Sequence, residues 1–539
     1  MYLTIKNRIK KSYAGIFISL CLSFMLLFYE PLNIFANNLN DFWFDIYRFF
    51  PVVILQTIIS FLLLSSFFML MNKLNRKVYI FFVVIFLIIL ICTYIQGNFL
   101  SYSLPSLNGS TISFANFETE KNISSLLWKI VLLIIVVVLY KFKFKTIEKV
   151  SMYSSIVIIV MLTSSMFPFF MKKGFFESKT SIVATNRYLN NMSSDKNFII
   201  FLIDATDSQV FNKEVKKLGK DKTLFKDFTY YPDTLAAYPF TRNSIPFIFS
   251  GEWYENEINF TEYFTKSFDN SKFLNKLEGN EYSLNMYEYD LNNYNGDKYE
   301  KFDNVDKVNR MDYISLLKQE AKIILYKYLP YQLKEHSHIN TFNMNVSKLN
   351  NDMYSGNNLE FYNKIKNKKI NIVDKKMFKF IHIEGGHVPF VYDINLNTIE
   401  NGTYEQNLDA SITVLETYIN RLKENNVYDN SVIVVMADHG YGTSVHDRYN
   451  PILYIKGLNE KHNFEVSDKK ISFVDLIVAF NQLIDGNKTD TIFIGLNNKE
   501  RRYLLYDYTN PGVLIEEIQK GEAWNSETIV ESGKKFISG

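Results

Sequence analysis

NFIIFLID, Asn197 to Asp204, is a continuous apolar run of strand length that ends in a carboxylate. A strand apolar on both faces is buried on both, as in a parallel sheet covered by helices. Two further runs repeat the pattern: MFKFIHIEGGH, Met377 to His387, and SVIVVMADHG, Ser431 to Gly440. Between them, over Asn407 to Lys423, Leu408, Ile412, Leu415, Ile419 and Leu422 recur at helical spacing, and Glu424 to Asn430 makes the turn into the last strand. Strand, helix, strand repetition predicts an α/β sandwich with a mostly parallel sheet. Ligands of such sheets gather outside the carboxyl ends of the strands. Asp204, His387, Asp438 and His439 all fall at such ends.

Asp438-His439 is the sharpest of these pairs, an acid and an imidazole followed by Gly440, which lets the backbone turn tightly. Zinc and manganese accept this mixed oxygen and nitrogen set. On its own the triplet also reads as a turn with a capping aspartate. Asp204 at a second strand end favours the metal, because unpaired buried carboxylates are costly. His387 and His446 add two imidazoles near the same edge, each of which taken singly reads as structural. Asp207 reads as a further ligand or as a capping carboxylate. Between these motifs lies LAAYPFTRNSIPFIFSG, Leu235 to Gly251, where Thr241, Arg242 and Ser244 precede Pro246 and an apolar run. Beside such a metal, Thr241 becomes a candidate nucleophile.

The chain has 539 residues, enough for more than one domain. Its first third is apolar and aromatic, while Asn, Asp, Glu, Lys and Tyr crowd the rest. The formal charge is +3, with no dense basic patch interleaved with aromatics outside the apolar region, so nothing argues for nucleic acid. Both cysteines, Cys21 and Cys92, lie in apolar runs, so the polar region holds no disulfide and no cysteine-bound zinc.

Five apolar segments approach the about 20 residues needed to cross a bilayer: Ala14 to Phe35, Phe50 to Met71, Val78 to Gln96, Ile123 to Tyr140 and Met152 to Met171. Basic residues precede the first as they do in a signal peptide, but further spans follow and no cleavage site is evident. Lys6, Arg8, Lys10 and Lys11 precede the first span; Lys73, Arg76 and Lys77 fill the second connection; Lys141, Lys143, Lys145 and Lys149 fill the fourth. The first and third connections are poor in basic residues. The expected topology therefore has a cytoplasmic amino terminus and an extracytoplasmic polar region, with residues 38–43 and 97–121 in external loops. The expected domains are a transmembrane domain at 1–173, a linker at 174–196 and a catalytic domain at 197–539. Within the last, Met311 to Leu333 has helical spacing that places Ile314, Leu317, Ile323, Leu325 and Tyr328 in the core. Otherwise Asn256 to Val373 shows no chemistry. PILYIKG, a helix at Phe473 to Leu483 and a polar tail complete the chain as edge strands and packing helices.

In their order and context, IIFLIDATD, TRNSIPFIFSG, HIEGGHVPF and MADHGYGTSVHDRYNP resemble motifs of the sulfatase-like branch of the alkaline phosphatase superfamily. More closely they resemble its membrane-bound phosphoethanolamine and phosphoglycerol transferases, including lipoteichoic acid synthase, whose layout also has five spans and an external catalytic domain. The resemblance implies Thr241 as nucleophile and metal ligand, with Asp204, Asp438 and His439 completing the metal site. It implies His387 and His446 on substrate phosphate or a second metal, with His382 supporting from the same strand. Asp204 stands where these transferases usually carry glutamate, Tyr441 stands where they carry a glutamate after DHG, and the cysteines flanking their nucleophile are absent. Arg242 and Asp207 have no counterpart. Arg242 is a candidate for neutralising phosphate charge.

The implied cofactor is a divalent metal, zinc or manganese ahead of calcium or magnesium. The implied partners are a phospholipid donor, a cell-envelope glycan or lipid acceptor, and the bilayer of a bacterial plasma membrane. Sulfatases need an oxidisable cysteine or serine where Thr241 stands, which disfavours sulfate ester hydrolysis. A metal-dependent phosphatase or sulfatase, or a non-catalytic membrane protein with a degenerate domain, are the alternatives.

Overall fold

The computed structural model describes residues 12–39, 42–101, 117–141, 144–179, 182–291, 293–308, 311–336, 352–442, 444–494, 500–507, 510 and 512–537. The chain divides into two compact units, one of Met1–Lys179 with Arg310–Ser347 and the other of Thr180–Asn309 with Lys348–Gly539.

Among the described residues of the first unit four helices are long and apolar enough to cross a membrane: α1 Tyr13–Asn37, α2 Ile46–Leu74, α3 Arg76–Phe99 and α5 Phe144–Met171. The expected crossing at Ile123 to Tyr140 falls on α4, Glu118–Lys141, which is not among the four and whose side chains near its end lie partly outside the described residues. Most of the expected external loop at 97–121 lies outside them too. A Cβ on Gly15 would meet the Phe68 ring at 2.4 Å, so glycine lets α1 and α2 approach closely. A sequence-distant helix, α8 Tyr313–Tyr328, also belongs to this unit, away from the catalytic domain in which the sequence places it. Its inner face buries Leu316, Ile323, Ile324 and Tyr328. Ile314, Leu317 and Leu325, expected in the core, are instead exposed.

The second unit is built on a seven-stranded sheet. In chain order its strands are β1 Asn197–Ile203, β2 Thr229–Tyr230, β3 Ser283–Tyr287, β4 Met377–Ile383, β5 Ser431–Met436, β6 Leu453–Lys456 and β7 Glu465–Val466. The spatial order is β7-β2-β6-β5-β1-β4-β3. β5, β1, β4 and β3 run parallel, and β6 is antiparallel to both β5 and β2. Every residue of β1, β4 and β5 is buried, as their unbroken apolar sequences require. Fully buried Phe198, Phe201, Phe378 and Phe380 each stabilise this core by roughly 1.5–3 kcal/mol.

The helix predicted between the second and third runs is α9, Tyr404–Glu424, started by a capping box of Thr403 and Gln406. The predicted linker holds two short strands, Ile182–Ala184 paired with Val305–Lys307 and Asn191–Ser193 paired with Asn371–Val373. PILYIKG forms β6, in the interior of the sheet rather than at its edge. The polar tail forms a separate antiparallel sheet of β8 Arg501–Tyr506, β9 Val513–Gln519 and β10 Ile529–Ile537.

Candidate metal and nucleophile site

Register brings the motifs together. Leu202 of β1 is paired with Met436 of β5 on one side and with His382 of β4 on the other. The residues that follow these strands, Asp204, Asp438-His439 and the Glu384–His387 turn, therefore emerge at one edge. Two glycines let them close up. A Cβ on Gly385 would lie 2.4 Å from Ile203 Cγ2 and 2.9 Å from the Asp204 nitrogen, and one on Gly386 would lie 2.7 Å from the Ala205 oxygen. Ala205 itself has φ of 50°, a left-handed conformation costly for alanine. Its N–H donates to Asp438 Oδ1 at 3.1 Å, and its carbonyl accepts from the Tyr404 hydroxyl at 2.9 Å.

Asp204, Asp438 and His439 are all buried and offer ligand atoms within 4.8 Å of one another. His439 Nδ1 lies 2.7 Å from the Gly440 carbonyl, which can only accept, so Nδ1 carries the hydrogen. That leaves the Nε2 lone pair 3.2 Å from Asp438 Oδ2 and 3.9 Å from Asp204 Oδ1. Asp438 Oδ2 is buried and has no hydrogen-bond donor. Two acceptors, His439 Nε2 and Asp438 Oδ2, facing each other without a proton between them are unfavourable unless a cation satisfies them. The donor set fits a divalent metal.

Charge is divided unevenly between the two acids. Burial opposes ionisation of Asp204, but the imidazoles of His382, His387 and His439 beside it outweigh burial and hold this carboxyl well below the usual range. Burial and the Asp204 charge push Asp438 up.

Thr241 is the first residue of α7, Thr241–Ser250. Its hydroxyl donates to Asp204 Oδ1 at 3.3 Å. No side chain caps this helix start, and the left-handed Gly251 ends it. Uncapped amides and the helix dipole favour an anion there. His387 is half-buried, and its Nδ1 donates to the Val388 carbonyl at 2.6 Å, which leaves Nε2 free.

The remaining expected site residues fall elsewhere. His446 is exposed on a short turn, with Nδ1 3.1 Å from the Tyr449 hydroxyl and 3.4 Å from Glu517 Oε1, and is not in the metal-ligating group. Asp207 caps helix α6, Ser208–Lys217, by accepting from the Gln209 and Val210 amides, a capping role rather than a ligand's. The Arg242 guanidinium lies 4.0 Å from the centre of the Phe260 ring. Tyr441 stacks on Tyr404 at 4.0 Å.

His382 is wholly buried, with Nδ1 2.7 Å from Glu288 Oε2 and Nε2 3.6 Å from Asp204 Oδ2. Tyr289 stacks on it at 4.6 Å and donates its hydroxyl to Asp204 Oδ2 at 3.0 Å. Sequence reading missed Glu288 and Tyr289. The signal was SLNMYEYD, Ser283 to Asp290, another strand-length run leading into carboxylates. Arg448 was also missed. It sits 5.5 Å from the Phe240 ring and 3.4 Å from the Pro239 carbonyl, beside the turn that enters α7.

No family model and no curated protein matches this chain. Solved structures similar to it are sulfatases and alkaline phosphatase superfamily members. The C-terminal periplasmic domain of EcEptC from Escherichia coli has 10% identity and TM-score 0.34, over 63% of this chain and 92% of that one. A protein in the alkaline phosphatase superfamily from Vibrio parahaemolyticus has 13% identity and TM-score 0.32, over 66% and 81%. The 2-O GAG sulfatase BT1596 has 9% identity and TM-score 0.36, over 60% and 81%.

Proposed function

We propose that the chain is a membrane-anchored, metal-dependent transferase moving phosphoethanolamine or phosphoglycerol from a phospholipid to an external glycan or lipid acceptor. The observation that carries this reading is the Thr241 hydroxyl, presented at a helix start and 3.3 Å from Asp204 in the converging Asp204, Asp438 and His439 site. A divalent cation held by these residues, zinc or manganese ahead of calcium or magnesium, supplies the charge that lowers the hydroxyl pKa and offsets phosphate charge.

Asp204 accepts the hydrogen bond of Thr241 and so fixes the direction of Oγ1. Thr241 loses its proton to solvent, and Oγ1 forms a bond to the donor phosphorus. The bond from phosphorus to the glycerol oxygen breaks, and that oxygen takes a proton from His387 Nε2 and departs in diacylglycerol. An acceptor hydroxyl then attacks the phosphothreonine and returns a proton to His387, while the bond from phosphorus to Thr241 breaks and Oγ1 takes a proton back from solvent. The uncapped start of α7 and the neighbouring Arg448 stabilise the negative charge that develops on the phosphate oxygens. The basic connections, with α4 counted as a fifth crossing, support a cytoplasmic amino terminus and a domain outside the plasma membrane, where lipid donor and envelope acceptor would meet.

Purified Thr241→Ala protein should release diacylglycerol from fluorescent phosphatidylglycerol or phosphatidylethanolamine at least ~10³-fold more slowly than wild type. Wild-type rates would remove Thr241 from the nucleophile role. Mass spectrometry of the Thr241 peptide should find the transferred group. Free phosphate or sulfate as the sole product would instead mean hydrolysis.

A further inference from the structure

Helix α8 is amphipathic in an unusual way, because both of its faces are apolar. The inner face packs on the ends of the spanning helices. Tyr328 covers Gly97 in the last turn of α3, where a Cβ would sit 2.3 Å from its ring. Lys327 Nζ lies 2.7 and 2.9 Å from the two carboxylate oxygens of Glu30 near the end of α1, and the Tyr328 hydroxyl donates to the same carboxylate at 2.9 Å. The turn after α8 continues the contact, with the Tyr331 amide 3.2 Å from Ser124 Oγ near the start of α4.

These partners share one end of the bundle, where α1 leads to α2 and α3 leads to α4. Lys73, Arg76, Lys77, Lys141, Lys145 and Lys149 mark the other end. The outward face of α8 carries Tyr313, Ile314, Leu317 and Leu325, exposed by 52%, 65%, 38% and 52%. Exposed Ala321 completes the stripe, exposed Lys318 and Lys322 flank it, and no acid shares this face.

We propose that the outward face of α8 lies in the lipid of the bilayer surface opposite the basic connections, with Lys318 and Lys322 reaching anionic headgroups. Three observations select lipid as the occupant. The helix is seated on the ends of membrane-spanning helices. Their own outward residues, such as Leu55, Ile58, Ile59 and Leu62 on α2, are exposed and apolar in the same manner. An apolar stripe bordered by lysines is the composition that settles at the headgroup boundary, the aliphatic stems lying along the apolar surface while the ammonium groups stay at phosphate level. The consequence is that a segment drawn from the middle of the polar sequence is anchored in the membrane between two stretches of the α/β unit. This inference depends on the spanning helices and not on the transfer reaction, so it stands or falls independently of Thr241.

The test uses full-length protein with Cys21→Ala and Cys92→Ala, a nitroxide on Ile314→Cys, Leu317→Cys or Leu325→Cys, and vesicles of phosphatidylcholine and phosphatidylglycerol. Each protein is first required to be monodisperse in detergent, and the three positions substitute for one another if one fails. Oxygen should collide with the label at least several-fold more than a nickel chelate does, relative to Glu405→Cys at an exposed position of α9. Adding Lys318→Glu with Lys322→Glu should lower that ratio at Leu317→Cys. Ratios equal to the Glu405 control would overturn the proposal. So would a label shielded from both reagents, which would mean a protein partner instead of lipid, or a ratio unmoved by the lysine changes.

Discussion

Asp204 receives hydrogen bonds from Thr241 and Tyr289 and faces His382, which Glu288 grips from behind. Its side chain is one methylene shorter than the glutamate usual in the transferases it resembles, and Tyr289 and His382 hold it in place. Partners of metal ligands typically alter affinity 10–100-fold when removed. His382→Gln is accordingly expected to weaken zinc or manganese binding by about 10–100-fold, and Tyr289→Phe by less, in calorimetric titration of metal-stripped protein. Unchanged affinity in both would mean that the contacts do not position Asp204. At this scale the sequence was legible where an acid or imidazole ended an unbroken apolar run, as at Asp204, Asp438 and His439. Glu288 and Tyr289 escaped because β3 is short and carries polar Ser283 and Asn285, which hide a strand buried at every position. His446 lies outside the Asp204, Asp438 and His439 group because nearness in sequence to a strand end does not fix which way a turn throws its side chain.

The existence of α8 was legible in its apolar spacing, but its facing was not. When both stripes of a helix are apolar, periodicity says that a helix forms and leaves open which stripe is covered. The polar residue that marks the inner stripe is Glu320, 1% exposed, whose carboxyl burial pushes up to about 7. In the folded state it keeps its proton above the usual 4.5, so between about 4.5 and 7 the folded protein binds more protons than the unfolded chain. Stability therefore falls as pH rises through that window, by at most about 3 kcal/mol. The thermal midpoint of full-length protein in detergent should drop from pH 5 to pH 8, and Glu320→Gln should flatten that dependence. An identical slope in the variant would show that Glu320 does not titrate there. Helix α9 was read correctly in type and nearly in extent because only one of its stripes is apolar.

For the whole molecule, the division into an apolar helical unit and an α/β unit follows from composition alone, whereas the crossing of the chain back into the first unit does not. That return depends on tertiary partners such as Glu30, Gly97 and Ser124, far from α8 in sequence. It has a practical outcome for fragments. A chain beginning at Thr180 would strip the cover from Leu316, Ile323, Ile324 and Tyr328, and light scattering should find it aggregated. The same fragment with residues 311–347 replaced by a short Gly/Ser linker should be monomeric. Equal behaviour of the two would mean that α8 is content in water. The three-stranded tail sheet was illegible for a related reason, since β10 is exposed along most of its length and its residues read as solvated coil.

The close approach at Gly385 and Gly386 bears on how the site moves. With no room for even one methyl group between the Glu384–His387 turn and the Ile203–Ala205 turn, there is no slack in which one can shift without the other. His387 and Asp204 are thus mounted on a single rigid bracket. Any opening of the site to the donor proposed above would then come from the Thr241 side, where the residue is carried by the start of a helix rather than locked between strands.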